Sequence, residues 1–287
     1  MAMVTVTTGG ELLVRERGRP VVSTGFRPLD ALLPAGGVRP GSLVEWLPEG
    51  DAGGGGGAAT LAFAVACRLS ASSGGEASEQ ARPRTIVVVD RTGWFHPPAV
   101  MSWLGDERRL VVARPSRDDD EIWTIDQALR CTGVAAVLAW PRARVGRAAA
   151  MRGSRLGNSL QQWSTAMRRW QLAAASSGAV GLFVRPHAAL GEPSWAEARI
   201  AVAPQVGGTL TERRFGLTLA GGSWSAATAG SERAVEVMLD LARGVATAPR
   251  SGGGLLRPAA PAAVAGVMGV EAGTPGFARS GVACRAS

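Results

Sequence analysis

Between Gly50 and Thr60 the chain reads Gly-Asp-Ala-Gly-Gly-Gly-Gly-Gly-Ala-Ala-Thr, with an apolar segment on either side. A strand, a glycine-rich loop and a helix in that order can cradle phosphate, because glycines let backbone amides and a helix N-terminus point at one anion. The working form, G-x-x-x-x-G-K-[ST], adds a lysine for the β- and γ-phosphates and a hydroxyl for magnesium. With Gly50 and Gly55 as the framing glycines, the lysine position holds Gly56; with Thr60 as the magnesium hydroxyl, it holds Ala59. All 31 basic residues are arginine, so no lysine elsewhere can substitute. Gly50, Gly53, Gly55, Gly56, Gly57 and Thr60 therefore read as a degenerate nucleotide loop. Its amides could still hold an anion, which leaves ATP binding open, but catalysis is not expected. The alternative is a glycine loop without a ligand.

A second group carries charge. Pro141 to Trp170 holds Arg142, Arg144, Arg147, Arg152, Arg155, Arg168 and Arg169 and no acid, in a chain of net charge +8. Such a cluster can neutralise nucleic-acid phosphates without reading sequence, so these arginines are the DNA-binding candidates. A solvated basic loop, or a surface for an acidic protein, is the competing reading. Metal chemistry is not expected. Cys67, Cys131 and Cys284 are far apart in the chain, and His96 and His187 each lie beside a proline. The acidic run Asp118 to Glu121 suits the positive end of a helix better than a cation.

The elements that would position these groups alternate. Strands are expected at 42–47, 85–89, 110–113, 134–140, 179–184, 198–203 and 214–219. Helices are expected around 29–33, over 58–69, from Pro97 through Leu104, after the acidic run, over 156–176 and over 232–243. The clearest is 156–176, where Leu156, Leu160, Trp163, Met167, Trp170 and Ala174 fall at steps of four and three. Residues 1–22 read as an arm and 23–243 as the folded domain. Residues 244–287, dominated by Ala, Gly, Pro, Ser and Arg, read as a disordered tail. The alternation predicts an α/β fold with a mainly parallel sheet covered on both faces. No apolar stretch is long enough to span a membrane and no secretory signal opens the chain, so a cytoplasmic location is expected.

Ser23-Thr24-Gly25-Phe26-Arg27-Pro28-Leu29-Asp30-Ala31-Leu32 with the Gly36-Gly37 turn, followed by Val44-Glu45, resembles the opening of the RecA-type ATPase core. Later blocks resemble the ImuA family, RecA-like proteins of bacterial translesion synthesis related to the SulA division inhibitors. They include Phe95-His96-Pro97-Pro98-Ala99-Val100, Trp103-Leu104-Gly105, Leu110 to Pro115, Glu121 to Arg130, Val134 to Trp140, Arg168 to Ala174 and Gly181 to Pro186. The likeness runs over roughly residues 20–220. It implies a RecA-like three-layer core. Two further catalytic parts depart from the active pattern. The water-activating acid falls near Thr92, with Asp90 the nearby carboxylate, and the magnesium-binding acid is replaced at Trp140-Pro141. With the missing lysine, three losses together imply a non-enzymatic accessory protein. The expected partners are an ImuB-like protein and an error-prone DnaE-type polymerase, with RecA and DNA as further partners. A DNA-stimulated ATPase with an atypical loop and a SulA-like division inhibitor are the alternatives.

Overall fold

The computed structural model describes residues 21–49, 56–72, 84–106, 109–141, 156–222 and 234–247. Residues 1–20 of the expected arm 1–22 and the chain beyond 247 lie outside the described residues, as do Gly50, Gly53, Gly55, Arg142, Arg144, Arg147, Arg152 and Arg155.

Among the described residues, nine strands form one mixed sheet. They are β1 (Leu43–Pro48), β2 (Thr85–Val89), β3 (Leu110–Ala113), β4 (Val134–Ala139), β5 (Val180–Val184), β6 (Ala198–Gln205), β7 (Glu212–Gly221), β8 (Ala234–Asp240) and β9 (Val245–Thr247), in the spatial order β3-β2-β4-β5-β1-β6-β7-β8-β9. β3 through β6 in that order pair in parallel, and β6-β7-β8-β9 is an antiparallel meander. All residues of β1, β4 and β5 are buried and, apart from Glu45, none carries a polar side chain, as a sheet covered on both faces requires.

Helices α1 (Arg27–Leu32), α2 (Ala58–Ser72) and α3 (Met101–Leu104) belong to one face, and α4 (Asp118–Arg130) and α5 (Leu156–Ser177) to the other. Side-chain alternation sorts β1 accordingly. Val44 and Trp46 join the α2 side, and Leu43 joins the α5 side with Trp163, Met167 and Trp170. Trp170 packs edge-on against Trp163 and tilted against Phe183, so the part of the expected stripe from Trp163 to Ala174 is core.

α2 is buried on nearly every side: Ala58, Leu61, Ala62, Phe63, Ala64, Val65, Ala66 and Leu69 are all apolar and inaccessible. A helix this uniformly apolar needs cover opposite the sheet. Part of that cover comes from the segment after β2, where Phe95 of the loop and Trp103 of α3 pack tilted against Phe63 at centroid distances of 5.3 and 6.0 Å. Trp103 Nε1 donates to the Leu241 carbonyl at 2.8 Å, which ties this layer to the turn after β8. Gly244 has φ +65, and a Cβ there would meet the Trp103 ring at 2.3 Å.

Three expectations need correction. The segment expected as a helix over 232–243 is strand β8 with its turn. Its apolar residues Val235, Val237 and Leu239 recur every second position, and β7 offers an open edge for them to pair with. Asp240 Oδ1 then closes the turn by accepting the amides of Ala242 (2.8 Å) and Arg243 (3.2 Å). The domain boundary at Gly244 moves, because Val245–Thr247 form β9 on β8. The helix expected from Pro97 to Leu104 is a 3₁₀ turn, Pro97–Ala99, followed by the single turn α3. Among the described residues no helix is long and apolar enough to cross a membrane.

The two described cysteines differ. Burial pushes the Cys67 thiol up to about 12, against a smaller opposing effect of the Arg109 guanidinium, while Cys131 is exposed. From an ordinary value of 9.0 this leaves roughly a thousandfold less thiolate at mild pH. Iodoacetamide at pH 8, followed by peptide mapping, should modify Cys67 at least about a hundredfold more slowly than Cys131. Equal rates would show that the α2 layer opens. Because the folded state holds this proton above the unfolded value, its contribution to stability is complete below pH 9 and fades as pH rises toward 12.

Candidate functional site

The degenerate loop leaves the end of β1 and enters α2. Beyond Pro48, Glu49 N donates to the Val202 carbonyl at 2.8 Å, so the strand end is fastened to β6. Gly56 lies against Pro48, whose Cβ would stand 3.0 Å from a side chain at that position. Gly57 has φ +77, and its carbonyl accepts the Leu61 amide at 3.0 Å, opening the helix. The Phe215 ring of β7 lies directly over Gly57: an added Cβ would be 2.1 Å from Cε1. Phe215 is itself only 4% exposed. On the side where a Cβ of residue 57 would stand, the start of α2 is thus occupied by an aromatic ring. Thr60 lies in the first turn of α2 and is partly buried. The structure brings Gly56, Gly57 and Thr60 together at this helix start.

Asp90 is fully buried at the end of β2. Its Oδ1 accepts Thr92 Oγ1 at 3.0 Å and the Trp94 amide at 3.1 Å, and its Oδ2 accepts the Phe95 amide at 2.9 Å. Arg114 Nε stands 3.9 Å from Oδ2. The carboxylate therefore caps the loop that carries Phe95 onto α2. At the end of β4, Trp140 is 8% exposed and packs against Phe95 at 6.4 Å, so the position expected for a magnesium ligand is apolar. Among the described residues no group of three or more His, Cys, Asp or Glu could hold a metal ion.

Arg168 and Arg169 lie on α5, across the sheet from α2, and are not brought to the loop. Arg168 stacks its guanidinium 4.6 Å from the Trp195 ring centroid and donates to Gln171 Oε1. Arg169 pairs with Asp126 at 3.3 Å, and Arg130 pairs with the same carboxylate at 2.9 Å.

The most polar part of the interior went unnoticed in the sequence. Glu45, 0% exposed in the middle of β1, points to the α5 side opposite its register partner Arg199 of β6. Arg199 Nε donates to Glu45 Oε2 at 2.7 Å, and Arg185 Nη1, just past β5, donates to Oε1 at 3.0 Å. Arg185 also pairs with Glu192 and stacks 4.1 Å from the Trp163 ring centroid. Arg199 reaches the carbonyls of Ala189, Leu190 (3.1 Å) and Glu192 (3.4 Å). Two carboxylates and two guanidiniums thus balance in charge beneath the 3₁₀ turn His187–Gly191 and stitch that loop to β1, β5 and β6. A charged residue inside an otherwise apolar strand was the available signal, since a buried charge demands a partner.

No family model and no curated protein matches the chain.

Proposed function

We propose that this chain is a RecA-like, ImuA-type accessory protein of translesion DNA synthesis that binds partners and does not hydrolyse ATP. The observation that carries the non-catalytic part is Phe215 seated on Gly57 at the start of α2, in a chain without lysine. Asp90, held by three hydrogen-bond donors of its own loop, and apolar Trp140 support it further. The RecA-like part is supported by a mainly parallel sheet with helices on both faces and by the glycine loop between interior strand β1 and α2. The partner set, an ImuB-like protein and an error-prone DnaE-type polymerase, rests on the sequence blocks quoted above. DNA contact would fall to the arginines of 142–155, since Arg168 and Arg169 already have partners.

The test is magnesium-dependent ATP hydrolysis by the purified full-length chain, with and without single-stranded DNA. Release of phosphate should equal the protein-free blank and be the same for Thr60→Ala and Asp90→Asn. Turnover that DNA stimulates and Thr60→Ala abolishes would establish the atypical ATPase instead.

A further inference from the structure

The segment that covers α2 is short, and its two ends are fastened differently. At its start the Phe95 backbone is fixed: the amide donates to Asp90 Oδ2 at 2.9 Å, and the carbonyl accepts Arg114 Nη2 at 3.2 Å. Its far end is α3, a helix of four residues, which needs tertiary contacts to persist. Arg109 supplies one, donating to the Leu104 carbonyl at 3.1 Å and to Ser70 Oγ of α2 at 2.7 Å. Two more lie on the turn after β8, 138 and 140 residues away in sequence. Trp103 Nε1 donates to the Leu241 carbonyl at 2.8 Å, and Ser102 Oγ donates to the Ala242 carbonyl at 3.2 Å. Gly244 of the same turn lies so close to the Trp103 ring that a Cβ would be 2.3 Å from it. The turn has its own supports: Leu241 N donates to the Thr211 carbonyl and Gly244 N to the Asp240 carbonyl, both at 2.7 Å.

We propose that the turn 241–244 is a catch, and that α3 is the moving end of a cover that lifts off α2 when the catch is released. Trp103 belongs to both contacts, since its ring packs on Phe63 of α2 while its N–H is held by the turn. Opening bares Phe63 and Leu104 to water, so the closed form dominates and the open one is a minor state reached by local unfolding. Cys67 lies one helical turn beyond Phe63, within the field of the Arg109 guanidinium that bridges α3 to α2. Its thiol therefore reports the opening. The device stands independently of the translesion reading.

The test follows Cys67 alkylation by iodoacetamide, and amide exchange by mass spectrometry, on the full-length protein. Gly244→Ala disturbs the catch and leaves the sequence of the cover intact. It should raise both the Cys67 rate and the exchange over 97–105 about tenfold. Trp103→Phe, which keeps a ring on Phe63 but removes the donor, should do the same from the other side. Because both release one catch, the double variant should match the larger single effect and not their product. Exchange in β2, β4 and β5 and alkylation of Cys131 should stay as in wild type. Should Gly244→Ala fail to melt like wild type, Ser102→Ala replaces it, with a rise of about threefold in the same two readouts. An unchanged Cys67 rate in the catch variant, multiplying effects in the double variant, or exchange raised equally in the central strands would each overturn the proposal.

Discussion

Glu45→Ala should cost about 3–5 kcal/mol of stability, because it strands the guanidiniums of Arg185 and Arg199 inside the protein. Desolvating a charge is expensive unless a partner offsets it, and Glu45 is the group that both arginines share. The loss should appear as a lower urea midpoint with an unchanged slope. Replacing all four members, as Glu45→Leu/Arg185→Met/Glu192→Gln/Arg199→Met, should recover most of that stability, since apolar groups of similar volume often match a buried ion network. Loss of less than about 1 kcal/mol in Glu45→Ala would mean that water reaches the cluster.

Gly57→Ala should destabilise the fold by about 3 kcal/mol or more. Two causes act together: φ +77 is disfavoured for any residue with a Cβ, and that Cβ would press into the Phe215 ring at 2.1 Å. Neither part can relax easily, because Phe215 is held in β7 between β6 and β8. Repeating the substitution in a Phe215→Leu background separates the causes. The penalty there should shrink by the steric part and retain the backbone part, an interaction read directly from the double-mutant cycle. Equal penalties in both backgrounds would show that the ring moves aside, and with it the argument that it covers the helix start.

The legible parts of the fold were those in which a local pattern and its tertiary setting agree. The β-branched run Thr85–Val89 and the apolar Val134–Ala139 became interior parallel strands, and the stripe through Trp163, Met167 and Trp170 became the core face of α5. β8 was misread because Glu232 to Arg243 has helix-favouring composition, while the decisive information was the open edge of β7, a partner distant in sequence. The same limit hid the closure of the candidate site. Nothing near Gly57 indicates that a phenylalanine 158 positions later will cover it; strand pairing of β6 with β7 places the ring there. The absences of lysine and of an acid after β4 could be read directly. Their physical consequences, an aromatic over the helix start and Trp140 packed on Phe95, needed the sheet order. Arg168 and Arg169 looked like part of a continuous basic stretch, but helix geometry turns one onto Trp195 and the other onto Asp126.

Partner binding is the central claim, and co-purification tests it most directly. Full-length chain is mixed with the ImuB-like protein and with the error-prone polymerase of the same cell. A variant ending at Thr247 runs in parallel, because ending at Gly244 would remove β9 and the sheet edge. The adaptor reading predicts stable capture of at least one of the two by the full chain, unaffected by ATP. Capture of neither, with both partners folded and active, would contradict it.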